Sequence, residues 1–157
     1  MPNYKKDVSD FKKWIPVKNW FTNNMSVVPV GMSSISGACA TVNTKVNKGF
    51  VYVRDGISDT WKLPPAFKSD GFGDCEDFSI YKMFKLFESG IPQQLTELVI
   101  CFDRKSREYH CVLRVFEGAN HYVLDNQNVN VLNKTAFLGR YSPVYAIGLS
   151  GWRLTSE

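Results

Sequence analysis

No stretch of the 157 residues approaches the roughly 20 apolar residues needed for a transmembrane helix, so membrane insertion is not expected. The start of the chain, Met1-Pro2-Asn3-Tyr4-Lys5-Lys6-Asp7, has no apolar core behind its lysines and does not resemble a secretory leader. As written, the chain is expected in the cytoplasm, or in the periplasm if a leader has been removed. Long runs of one charge are also missing. The net charge is +4, and the basic residues (among them Lys12, Lys45, Lys82 and Arg104) are scattered, which argues against a nucleic-acid-binding stripe. The four cysteines, Cys39, Cys75, Cys101 and Cys111, form neither a CxxC pair nor the dense spacing of a disulfide scaffold, and reduced thiols fit best. There is no internal repeat, low-complexity segment or linker. One domain spanning 1–157 is expected, with 1–37 as a helical and loop extension packed on it, and a monomer. Hydrophobic residues at 44% and aromatics at 14% are enough for a sizeable core.

What is present centres on Gly73-Asp74-Cys75-Glu76-Asp77-Phe78. Downstream, Ile80, Phe84, Phe87 and Ile91 fall at i, i+4, i+7 and i+11, with Met83 and Leu86 widening the stripe. The period predicts a helix that opens at the cysteine and stops near Gly90-Pro92. A thiol at a helix N-terminus feels the positive end of the macrodipole, which favours thiolate. Cys75 is therefore the candidate nucleophile. Upstream, the prolines and glycines of Trp61–Phe72 suit a loop.

Residues 7–24 predict an interrupted helix with Val8, Phe11, Trp14 and Ile15 on one stripe and Pro16 starting a second piece. Met25 to Gly37 suits a loop. A helix is predicted over Ala38–Lys48, and a short strand over Phe50–Val53, ended by Arg54-Asp55-Gly56. Beyond the cysteine helix the period changes to two. Strands are predicted over Leu98–Phe102, Tyr109–Phe116, His121–Asn126 and Val144–Leu149. Helices first and an antiparallel sheet after them describe an α+β domain.

The second and third of these strands allow a register to be counted. With Gly118-Ala119 as the turn, Glu117 faces Asn120, Phe116 faces His121 and Val112 faces Asp125. His110 and Asp125 then become diagonal neighbours on one face, roughly 7–8 Å apart at the backbone. Their side chains can meet unless a bulge intervenes. Cys75 would attack a carbonyl carbon, His110 would take and return the proton, and Asp125 would hold the imidazole tautomer. Asn126 could orient the histidine instead, or face the substrate. His121, near the turn, fits an exposed hairpin residue better than a second catalytic base. Cys39, Cys101 and Cys111 suit core positions, and Trp61 suits either a wall of the substrate cleft or the core.

Gly73-Asp74-Cys75-Glu76-Asp77-Phe78, Tyr109-His110-Cys111-Val112-Leu113 and Tyr122-Val123-Leu124-Asp125-Asn126 together resemble the bacterial transglutaminase-like cysteine proteinases, including the LapG-type members. The likeness extends over about residues 38–154, through Val42-Asn43, Val46-Asn47, Tyr52, Asp55, Trp61, Pro64 and the Pro143–Trp152 tail. It implies a papain-like, transglutaminase-type fold with the Cys75–His110–Asp125 triad. LapG-type members cleave large surface adhesins, need calcium and are restrained by a regulatory protein at the inner membrane. Three departures stand out: no secretion signal is visible, Ala66 stands where the family often has an acidic residue, and Cys111 where it often has methionine.

Asp74 and Asp77 suit helix capping, but three carboxylates beside one thiol oppose thiolate formation. A calcium ion held by Asp74, Glu76 and Asp77 would resolve the conflict, and the resemblance supports it. The leading function is a calcium-dependent cysteine endopeptidase acting on a protein or peptide substrate. The same acyl-enzyme would serve a glutamine transamidase or deamidase. A non-catalytic binding or phage-associated module that keeps the fold is the alternative from another class.

Overall fold

The computed structural model describes residues 2–25, 34–54 and 60–155. The region predicted as a loop from Met25 therefore lies largely outside the described residues, as do Asp55 and Gly56. The first helix, α1 (Trp14–Asn24), buries Trp14, Val17 and Phe21. Residues before Trp14 form turns, so the interrupted helix begins later than its apolar stripe suggested. Pro16 sits in the first turn, where its missing N–H deprives no carbonyl of a partner. Helix α2 (Ile35–Gly49) starts three residues earlier than expected, because Ser34 caps it by accepting from the Gly37 amide at 3.2 Å.

The stretch expected to be a loop contains a helix, α3 (Pro64–Asp70). Its prolines occupy the first two positions, where the fixed φ suits a helix, and Gly71 ends it with φ 78°. Short strands β1 (Val51–Tyr52) and β2 (Phe72–Gly73) then pair in parallel and bring the chain to Cys75. Helix α4 (Cys75–Glu88) follows, as its periodicity required.

The main sheet is antiparallel: β3 (Thr96–Asp103), β4 (Glu108–Glu117), β5 (Asn120–Leu124), β6 (Tyr141–Gly148) and β7 (Gly151–Leu154), in the order β5-β4-β3-β6-β7. The counted pairs Glu117–Asn120 and Phe116–His121 are observed, and the ladder ends at Leu113–Leu124, one pair short of the counted Val112–Asp125. Helix α5 (Lys134–Arg140) and β7 were not foreseen. One sheet face, with Leu98, Cys111, Leu113, Val115 and Ile147, joins α1, α2 and α4 in the larger core. The other, with Val99, Cys101, Val112, Val123 and Ala146, packs against Phe137 and Tyr141. His121 is buried on this second face, its ring 6.1 Å from that of Phe116, and not exposed as expected.

Strand β5 stops at Leu124, so the lower half of β4 has no strand on that side. Helix α4 fills the place. Ser79 Oγ donates to the Cys111 carbonyl (3.3 Å) and to that of Cys75 (2.9 Å). The start of the cysteine helix is thereby fastened beside His110.

Candidate active site

Cys75 is the first residue of α4, and Asp74 is its N-cap. The Asp74 side chain accepts from the Asp77 amide at 3.2 Å, and the Asp77 side chain accepts from the Asp74 amide at 3.1 Å, completing a capping box. Asp77 also accepts from the Lys62 amide at 2.8 Å, tying the preceding segment to the helix. Gly73 is required here. A Cβ would lie 2.7 Å from the Asp77 carboxylate and 2.8 Å from the Phe67 ring.

The Cys75 thiol donates to Glu76 Oε2 at 3.3 Å. Burial chiefly, and then the Glu76 carboxylate, push its pKa up, while a hydrogen bond with the Cys111 backbone pulls it down. Burial and Glu76 thus oppose the helix dipole at this thiol. It is nevertheless the accessible thiol of the four: Cys75 is 9% exposed, against 0% for Cys39 and Cys101 and 1% for Cys111. Burial and the neighbouring Glu76 raise Asp74 to about 6. Burial raises Asp77 to about 6 as well, against the pull of its amide hydrogen bonds.

His110 lies on β4 and faces away from the α4 side of the sheet, opposite in sense to Cys111. Its Nε2 meets Asp125 Oδ1 at 2.6 Å, both side chains being buried. Asp125 is one residue beyond the paired part of β5. Its Oδ1 also accepts from the Gln127 amide at 3.1 Å, and its Oδ2 accepts from Asn128 Nδ2 at 2.7 Å and from the Tyr141 hydroxyl. Burial works to raise its pKa, but the bonds from His110, Tyr141 and Gln127 outweigh burial and hold it below the ordinary value. An ionised Asp125 accepts only, so Nε2 carries the proton and Nδ1 is the basic nitrogen. Nδ1 has the Gln127 side-chain amide at 3.4 Å. The imidazole also stacks on Tyr141, with centroids 5.7 Å apart and planes at 16°.

Cys75, His110, Asp74, Glu76 and Trp61 line one cleft of about 320 Å³, together with Gln127. Trp61 lines this cleft and also packs against the larger core. Asn126 does not: it lines a separate cavity with Thr44, Asn47 and Lys48. Its neighbour Gln127 stands at the histidine instead. Gln127, Asn128 and Tyr141 were missed by sequence reasoning. Asp125-Asn126-Gln127-Asn128 offered four polar candidates, and their directions depend on the turn after β5. Tyr141 reaches Asp125 through the β3–β6 pairing, whose register shifts between Ile100 and Cys101.

Among the described residues, no three His, Cys, Asp or Glu side chains stand together as a metal-binding group. Asp74 and Glu76 nonetheless both line the cleft, close enough for the Glu76 charge to raise the Asp74 pKa. A carboxyl pair of this kind suits a hard cation. Asp77 has both oxygens engaged by amides.

A thiol at the head of a helix, beside a strand-borne histidine with a carboxylate partner, has the components of a cysteine-peptidase site. The chain belongs to the bacterial transglutaminase-like cysteine proteinases, whose family model matches residues 18–142. It is accordingly a cysteine peptidase with an α+β, transglutaminase-like fold. Calcium-bound LapG from Legionella pneumophila is 26% identical, with a TM-score of 0.74 covering 97% of this chain and 82% of that one. The EGTA-treated form of that protein is 25% identical, with a TM-score of 0.73 over 96% and 80% of the two chains. A structure from Cytophaga hutchinsonii, 10% identical over 82% of this chain and 40% of that one with a TM-score of 0.55, shares the fold alone. No curated protein sequence matches the chain. Among the described residues, no helix is long and apolar enough to cross a membrane.

Proposed function

We propose that this peptidase is an endopeptidase working through Cys75, His110 and Asp125, with calcium required at the acidic start of α4. The observation that carries the triad is the 2.6 Å bond from His110 Nε2 to a buried Asp125, in a cleft that Cys75 also lines. With Nε2 committed to Asp125, Nδ1 takes the proton from the Cys75 thiol as sulfur attacks the scissile carbonyl carbon. The same Nδ1–H protonates the departing amine. A water molecule, deprotonated at Nδ1, then attacks the thioester and releases the acid and the thiol. The peptidase assignment implies a protein or peptide substrate, and Trp61 forms part of the cleft it would enter.

Asp74 and Glu76 would hold the calcium ion. Asp77 would join them only by giving up amide hydrogen bonds, and otherwise contributes by fixing Asp74. A bound calcium ion supplies positive charge that neutralises carboxylates next to the thiol. The calcium-bound and EGTA-treated structures of Legionella LapG support this reading by similarity.

The test compares the native chain with Cys75→Ala in extract of the source cells, with calcium and with excess EGTA, by proteomics of new N-termini. New termini that require both Cys75 and calcium are expected. Modified glutamines without new termini would replace the endopeptidase reading with transamidation or deamidation. Equal cleavage in EGTA would remove the calcium requirement.

A further inference from the structure

Lys82 stands two turns along α4 from Cys75, on the same side of the helix, and is 1% exposed. Among the described residues its ammonium makes no salt bridge. It donates to Asn43 Oδ1 at 2.8 Å and lies 5.9 Å from the centre of the Phe78 ring. Burial pushes its pKa down to about 7, with the negative charge of Asp125 acting in the opposite direction. A methionine of similar reach would avoid that desolvation, so fold stability alone does not account for a lysine here.

The partner of Lys82 shows what the bond does. Asn43, wholly buried on α2, spends its side-chain amide on the carbonyls of Asn128 and Val129, each at 3.1 Å. One turn on, Asn47 donates to the carbonyls of Asp125 (3.0 Å) and Asn128 (3.1 Å). The loop clamped by these two asparagines carries Asp125, and Asn128 returns a hydrogen bond to the Asp125 carboxylate. Lys82 fixes the Asn43 amide in the orientation that aims its N–H groups at the loop, since the oxygen must face the ammonium.

We propose that Lys82 is a positioning residue, which through Asn43 couples the helix beginning at Cys75 to the loop that aims Asp125 at His110. The role rests on the triad reading given above. It links the helix that starts at Cys75 to the loop whose Asp125 holds His110.

Two variants of the full chain test it, Lys82→Met and Asn43→Asp. The second keeps a partner for Lys82 but loses both donors to the loop. Folding is followed by thermal unfolding, the His110 Nε2–H by proton NMR, and the thiol by the rate of Cys75 alkylation with iodoacetamide. In both folded variants the His110 proton resonance is expected to move upfield or broaden. Cys75 alkylation at neutral pH should slow by at least about fivefold, since small misplacements of a catalytic group carry large rate penalties. A folded variant with the native His110 resonance and a native alkylation rate overturns the proposal. Failure of both variants to fold also overturns it, by making the pair a determinant of the fold. If Cys75 of the native chain alkylates no faster than Cys39, Cys101 and Cys111, the triad reading fails instead.

Discussion

Replacing Tyr141 with phenylalanine should remove one hydrogen bond from the Asp125 carboxylate and leave the packing around it in place. The tyrosine is fully buried, and its ring packs on His110 and on Phe137, contacts that phenylalanine keeps. What disappears is a hydrogen bond to an ionised acceptor, worth about 1.5–3 kcal/mol net. For a chain of this size each kcal/mol moves the melting temperature by roughly 2–4 °C, so a loss of roughly 3–12 °C is expected near neutral pH. The effect should depend on pH in a definite direction. Asp125 has a folded pKa below its unfolded value, so its contribution is present above about pH 4 and lost as pH falls through the folded value. Tyr141→Phe moves the folded pKa back up, and the stability gap between variant and native chain should narrow below about pH 4. Urea unfolding of both chains at neutral and acid pH measures the gap. A gap of constant size across that range, or none at neutral pH, would refute the account of Asp125 as a carboxylate held ionised by its neighbours.

Lys82 makes a second pH prediction. Its folded pKa, about 7, lies below the ordinary 10.5, so the unfolded chain binds a proton that the folded chain has released between those values. Native stability should gain about 2 kcal/mol from this group between pH 7 and 9, and Lys82→Met should lack that gain. Urea unfolding at the two pH values, native against variant, isolates it from the four thiols, which ionise near this range in the unfolded chain. Gly73→Ala should destabilise by about 1–3 kcal/mol, because its methyl group would force apart the Asp77 cap and the Phe67 ring. A native melting temperature in that variant would show that the capping box can shift without loss.

Much of this arrangement was legible in the sequence where one local pattern decided it. The α4 stripe from Ile80 to Ile91 and its stop at Gly90-Pro92 needed nothing outside the segment. Counting residues about Gly118-Ala119 was enough to pair β4 with β5 and put His110 near Asp125. Pro64-Pro65 misled because prolines break a helix interior but suit its first turn, and only Gly71 at the far end marks the segment as a complete short helix. The seven-residue α5 is too short to show a helical period. Lys82 was one scattered basic residue among many, and its burial against Asn43 is a tertiary fact. Tyr141 and Gln127 were hidden for the same reason: strand pairing and a turn, not spacing, aim them at Asp125 and His110.

The early end of β5 has a consequence for how this protein can be followed as it folds. Because α4 and not a strand occupies the place beside Cys111, the surroundings of the Cys75 sulfur are complete only after helix and sheet have docked. Cys75 is 35 residues from His110 and 50 from Asp125 in sequence, so no isolated segment can reproduce them. Alkylation timed during refolding would therefore act as a clock for docking, with Cys39, Cys101 and Cys111 in the same chain recording when the rest of the interior closes.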